Sequence, residues 1–289
     1  MTIASPAAAR VIGTDFRIGA VVRRAWSVYR RNVVRFTLIA LFGFLPLLNL
    51  SYWSRITIGQ VSVSGLPFLL MTVFFVLGQA MVLHAAVQDM RQRPVRMSEG
   101  IKVALARFFP LVGLAVIISI VAGALLSAYV FLVVKGFGPG VLSVGQGFAI
   151  VGSFLLFLVI IAVLVLSWLT STPICVVERM GPFRSLRRSA ELARGYRLQL
   201  LALFLLVAVG ILLAIFGARL ALRLAFAMMP ASAFAFALGF PGNAVLQTLG
   251  LVWNGICCAF LWVLIAVIYH DLRVAKEGID MDHVAAVFE

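Results

Sequence analysis

A chain of 289 residues that is 63% hydrophobic and only 12% charged, with a mean hydropathy of +1.12, falls outside the soluble globular class. Its length allows about six spans, since a helix crossing the hydrocarbon core needs roughly 20 apolar residues. The net charge of +14 sits in segments between long apolar stretches, which points to loops facing anionic lipid and excludes nucleic acid as the partner.

The chain opens with residues 1–14, a flexible N-terminus with no apolar core of a signal peptide. A single membrane domain is expected over 15–276, with a cytoplasmic tail over 277–289. Apolar runs follow at 33–53, 66–87, 111–134, 147–170, 198–219 and 244–268. They are continuous in Leu, Val, Ala and Phe, without the period-two alternation of barrel strands, so helices are expected. The expected fold is all-α: a polytopic protein with six transmembrane helices arranged as three hairpins.

Each pair of runs is preceded by a shorter segment with helical periodicity. In the first, Ile18, Val21, Val22, Ala25, Trp26, Tyr29 and Val33 form an apolar stripe, with Arg17, Arg23, Arg24, Arg30 and Arg31 mostly opposite. The second sets Met97, Ile101, Ala104, Leu105 and Phe108 against Glu99, Lys102 and Arg107. The third sets Phe183, Leu186, Ala190 and Ala193 against Arg184, Arg187, Arg188, Glu191 and Arg194. Such helices are expected to lie in the membrane interface, apolar face among acyl chains and guanidinium groups toward lipid phosphates. Arg23, Arg24, Arg30, Arg31, Arg184, Arg187, Arg188 and Arg194 are therefore the candidate contacts to anionic lipid. Superposing Ala25, Ala104 and Ser189 brings the three segments into register and predicts an internal repeat with units at about 15–90, 91–171 and 172–276.

With the chain on alternating sides, all but Arg55, Lys135, Arg219 and Arg223 of the 24 lysines and arginines share one side, and so do all ten acidic residues. That asymmetry predicts cytoplasmic termini. It leaves no carboxylate on the outer face for acid–base chemistry or hard-cation binding.

The stretch from Thr172, TPICVVERMGPFRSLRRSAELARGYRLQLL, carries a Pro-x-x-x-x-Glu turn, a Gly before a helix, an Arg/Ser-rich helix and a Gly opening the next span. On this pattern, and on the segments RRAWSVYRRN and YHDLRVAKEGIDMDHVAAVFE, the chain resembles the membrane domain of glycerophosphoryl diester phosphodiesterase-type proteins and related six-span families. The resemblance implies the architecture and marks Pro173, Glu178, Gly181 and Gly195 as a candidate hinge. The hydrolase activity of that family implies a separate barrel domain of about 200 residues or more, with His and acidic clusters. The three histidines here, His84, His270 and His283, lack such a setting, and the activity is not carried over.

The remaining candidates are few. Glu178 either pairs with Arg188 or a neighbour, or caps and orients the helix after it. Arg219 and Arg223, four residues apart, form either an outer anion contact or a pair snorkelling to headgroups. Gln79 and His84 are intramembrane polar residues, and His84 is read as a hydrogen-bonded structural residue because Asp89, five positions on, is off its face. The tail residues Asp280, Asp282 and His283 make a weak metal-binding pattern. Pro46, Gly145, Gly147 and Gly152 are read as kinks or points of close packing.

The thiols Cys175, Cys257 and Cys258 are read as reduced. No phosphate-binding loop, nucleophile elbow or CxxC pair is present, so neither an enzyme nor a cofactor is expected. Expected partners are anionic lipids of the cytoplasmic leaflet and a membrane protein. The expected site is a bacterial cytoplasmic membrane. The role is read as lipid or partner binding, with transport or flipping of an anionic lipid as the alternative.

Overall fold

The structure, a computed structural model, describes residues 17–53, 57–58, 61–62, 65–93, 97–137, 144–227 and 244–277. Residues 1–14, expected to be a flexible N-terminus, Arg55, and the tail with Asp280, Asp282 and His283 lie outside them. The described chain is helical apart from a two-residue antiparallel ladder in which Thr57 pairs with Ser62 and Ile58 with Val61. The helices are α1 (Ile18–Arg31), α2 (Val33–Trp53), α3 (Gly65–Met90), α4 (Met97–Ala106), α5 (Phe108–Phe137), α6 (Val144–Trp168), α7 (Ser171–Val177), α8 (Pro182–Ala193), α9 (Arg197–Ala227) and α10 (Ala244–Glu277).

Five stretches are long and apolar enough to cross a membrane: Thr72–Met90, Phe108–Gly136, Gly145–Val177, Arg197–Ala218 and Leu249–Lys276. The first expected span is α2, a helix of 21 residues whose apolar part Val33–Phe44 is shorter than those five. This is a multi-pass helical membrane protein. The expected order of one short helix before each pair of long ones is present as α1–α3, α4–α6 and α8–α10, with α7 added.

Helix α7 departs from the expected turn at Pro173. The proline occupies the first turn, where its missing N–H takes nothing from the helix, because the first four N–H groups have no intrahelical acceptor. The break falls at Leu169 and Thr170, between α6 and α7, where the expected fourth run ends.

A second departure concerns the short helices. Val21, Ala25, Val28 and Tyr29 of α1 are buried, and they pack mainly against α10, not among acyl chains. In α8 Ser185, Leu186, Ser189, Leu192 and Ala193 are buried, whereas α4 buries Gly100 and Ala104 and leaves Met97, Ile101 and Leu105 exposed. The interfacial expectation fits α4 best. An amphipathic stripe records that one face leaves water, and protein covers it as well as lipid does.

The packing follows a cyclic order: α4 rests on α3, α8 on α7 and α6, and α1 on α10. Each short helix thus covers the end of the preceding pair of long helices, with α1 closing onto the last. Val21, Gly100 and Ser185 share one register position and Ala25, Ala104 and Ser189 the next one a turn on, and all six are buried. Small side chains there let helix backbones approach closely.

Close approach elsewhere falls at glycines that the sequence did not single out. A Cβ on Gly78 would stand 3.2 Å from the Ile39 carbonyl oxygen, and one on Gly255 2.7 Å from Leu41 Cδ2. Around Gly145, Gly147 and Gly152 a Cβ would meet nothing within 4 Å, so their expected close packing is absent. Their helix α6 faces outward over most of its length. Pro46 lies within α2.

Candidate functional site: the basic end of the bundle

The C-terminal ends of α3, α7 and α10 meet α1 and α8 at one end of the bundle, where most of the described charge collects. Three carboxylates sit in or just beyond the last two turns of those helices: Asp89, Glu178 and Asp271. Each is drawn into contacts with cations or hydrogen-bond donors from another helix.

Asp89 accepts from Asn32 Nδ2 at 2.9 Å and pairs with Arg31 Nη2 at 3.0 Å, which fastens the end of α1 to α3. Asp271 pairs with Arg24 of α1, and His270 Nδ1 lies 3.4 Å from the same carboxylate. Glu178 accepts a 2.7 Å hydrogen bond from the Tyr269 hydroxyl and faces Arg188 Nε at 3.8 Å, while Arg273 Nη1 donates to the Tyr269 oxygen at 3.3 Å. Four side chains from three segments thus form a single clasp. Charge-assisted hydrogen bonds of this kind are about twice as strong as neutral ones.

Arg24 and Arg188 occupy one register position, each immediately before the buried Ala25 or Ser189. Each pairs with a carboxylate of the helices it packs against, Arg24 with Asp271 of α10 and Arg188 with Glu178 just after α7. The matching position in α4 is Val103, and the third carboxylate, Asp89, turns to Arg31 and Asn32 instead.

Below the clasp, α8 is held by hydroxyl groups. Ser189 Oγ donates to the Ser167 carbonyl at 2.8 Å and lies 2.9 Å from Thr170 Oγ1, bridging the break between α6 and α7. Lys276 donates to the Glu191 carbonyl, and Arg187 Nε contacts Glu191 Oε1 at 3.2 Å along the surface of α8.

The eight candidate lipid contacts therefore divide. Arg24, Arg31, Arg187 and Arg188 meet carboxylates of the chain itself. Arg23, Arg30, Arg184 and Arg194 are exposed and, among the described residues, enter no ion pair. Spacing alone could not separate the sets, because the partners lie as far as 247 residues away in the chain.

The candidate hinge resolves into distinct roles. Glu178 ends α7 instead of capping α8, whose N-cap is Gly181 with Pro182 at the first position. Its carboxylate faces α10 and α8 together. Gly195, at φ +94°, takes a left-handed conformation that glycine adopts without steric penalty, turning the chain from α8 into α9. Pro173 is buried within α7. Sequence analysis missed Tyr269, Asp271 and Arg273 as partners, although the segment YHDLR had been marked as characteristic.

The intramembrane candidates do not converge. His84 Nε2 lies 3.4 Å from Gln88 Nε2, one turn along α3, and not beside Asp89. Gln79 lines a cavity between α3 and α5. Arg219 and Arg223 lie one turn apart on α9, with side chains outside the described set.

The three thiols form no disulfide, and among the described residues no group of three His, Cys, Asp or Glu is placed to hold a metal ion. No family model, characterised protein or solved structure matches this chain.

Proposed function

We propose that this is a non-enzymatic membrane protein that binds anionic lipid of the cytoplasmic leaflet through the outward arginines of its basic helices, within a cell membrane of bacterial type. The observation that carries the proposal is the division of the arginines. One set is neutralised internally and fixes α1 and α8 to the bundle, while Arg23, Arg30, Arg184 and Arg194 stand exposed on the same two helices. A guanidinium group cannot deprotonate at physiological pH and matches phosphate geometry with two parallel donors. Each basic residue held near an anionic surface contributes about 1 kcal/mol of attraction.

The membrane domain of phosphodiesterase-type proteins remains the proposed relationship, and three units from one repeat the proposed origin. Agreement of the buried register positions in α1, α4 and α8 supports the repeat. Orientation follows from the charge asymmetry, with the basic end inside.

Association of spin-labelled phosphatidylglycerol with the full chain in phosphatidylcholine vesicles tests the lipid proposal. Preference over spin-labelled phosphatidylcholine is expected at low salt and should decline as salt is raised. Equal association of the two lipids at low salt would contradict it. For orientation, Arg55→Cys and Arg187→Cys should label from opposite sides of the membrane.

A further inference from the structure

Between α3 and α5, and bordered by Thr172 of α7, lies a slot of about 390 Å³. That volume is within the range of small-ligand sites. Its walls are two helical stripes of matching period. Helix α3 supplies Thr72, Phe75, Val76 and Gln79, and α5 supplies Leu111, Leu114, Ala115, Ile118 and Ser119. Such i, i+3, i+4, i+7 rows run along the helix, so the slot is elongated along the membrane normal. Ser119 at its rim is exposed. The lining is mostly apolar, but Thr72, Gln79, Ser119 and Thr172 bring hydrogen-bonding groups to it, and the Gln79 amide has no hydrogen-bond partner among the described residues.

Arg107 continues the α5 stripe at its basic end, one turn before Leu111, whose N–H bonds to the Arg107 carbonyl at 3.0 Å. Among the described residues the Arg107 guanidinium meets no carboxylate. Its hydrogen bond there goes to the Arg179 carbonyl at 3.5 Å, one of the five N–H donors that the group offers. A cation one turn beyond the Leu111 end of an apolar slot with polar groups along it complements one molecule end to end.

We propose that this slot holds one acyl chain of an anionic phospholipid from the cytoplasmic leaflet, with the lipid phosphate on Arg107 and its ester oxygens within reach of the Gln79 amide. The site rests on the anionic-lipid reading above and deepens it: one bound lipid is specified, apart from those attracted to the outward arginines.

Native mass spectrometry of the full chain in mild detergent tests it, with dioleoyl phosphatidylglycerol, dioleoyl phosphatidylcholine and inorganic phosphate as probes. One phosphatidylglycerol should be retained in preference to phosphatidylcholine, and inorganic phosphate should not displace it. Ala115→Phe should fill the slot and weaken retention by about tenfold or more, equivalent to about 1.4 kcal/mol. Ser119→Phe, at the exposed rim where folding is little affected, should do the same. Arg107→Gln should bring phosphatidylglycerol down to the level of phosphatidylcholine.

Retention that survives both Phe substitutions would overturn the slot, as would displacement by phosphate alone or equal retention of the two lipids. Replacing Arg23, Arg30, Arg184 and Arg194 together by Gln separates the two proposals. The single tightly held lipid should persist in that variant while the general anionic preference falls. Anionic preference lost only there, and untouched by the slot substitutions, removes the slot and leaves the surface reading standing.

Discussion

Two parts of this bundle invert the usual relation between apolarity and burial. Spans Phe108–Gly136, Gly145–Val177 and Arg197–Ala218 have mean hydropathies of 2.6, 3.2 and 3.0 over 18 residues, yet only 0%, 6% and 17% of those residues are buried within the protein. Thr72–Met90 and Leu249–Lys276 are less apolar, at 1.4 and 2.4, and both are 44% buried. In a bilayer, lipid tails are as apolar as leucine, so hydropathy marks what faces lipid. Protein–protein contact is marked by small residues and by polar residues with partners. The close half, α1, α2, α3 and α10, meets at Gly43, Gly78, Ala86, Gly255 and Ala259. The open half, α5, α6 and α9, shows a continuous Leu, Val, Ile and Phe surface.

The sharpest way to break this contrast is to place the same side chain on a glycine in each half. Gly78→Leu forces a branched side chain against the Ile39 backbone and should cost about 3 kcal/mol or more. Gly152→Leu meets open space and should change stability by about 0.5 kcal/mol or less. Thermal unfolding in detergent, followed by loss of the monodisperse peak, compares the two. Equal destabilisation would show that the halves do not differ as described.

The polar end sharpens the comparison further. Glu178→Gln removes a charged acceptor that Tyr269 and Arg188 share, and a loss of about 2 kcal/mol is expected in the same assay. Tyr269→Phe should cost about 1 to 2 kcal/mol. Combined, the two should lose less than the sum of the single changes, because they break the same contact. Strict additivity would mean that the clasp is not a unit.

Smaller effects belong to exposed charges. Arg24→Gln should cost about 1 kcal/mol or less, since the arginine of that pair is half exposed, its side chain 52% accessible. Arg187, 86% exposed, should be neutral on replacement by Gln. A large loss from Arg187→Gln would place α8 in a tighter setting than the one described.

The six apolar stretches and the three basic helices before each pair were legible in the sequence, because hydropathy and a 3.6-residue period are local signals. The small residues Ala25, Ala104 and Ser189 were visible in the sequence too, and all three are buried. Which surface covers each stripe was not. Val21, Ala25 and Val28 form the same pattern whether they meet α10 or acyl chains, and only the three-dimensional arrangement decides. The end of the fourth apolar run at Thr170 was legible, but the short helix that follows it was not, because Pro173 reads locally as a turn and its place in the first turn of α7 has no local signature.

Glu178 and Tyr269 were each within a marked segment, but a hydrogen bond across 91 positions has no signature in either one. For the same reason, Arg24 and Arg31 were indistinguishable from Arg23 and Arg30. The slot beside α3 emerged only from two stripes facing each other, although Gln79 had already been singled out as unusual for its depth.

The division of the arginines can be tested by replacing each set of four separately and following both stability and lipid preference in nanodiscs of mixed phosphatidylglycerol and phosphatidylcholine. Glutamine at 24, 31, 187 and 188 should lower the unfolding temperature and leave the preference for phosphatidylglycerol intact. Glutamine at 23, 30, 184 and 194 should abolish most of that preference at an unchanged unfolding temperature. If the first set governs lipid preference and the second governs stability, the assignment of inward and outward charge is wrong.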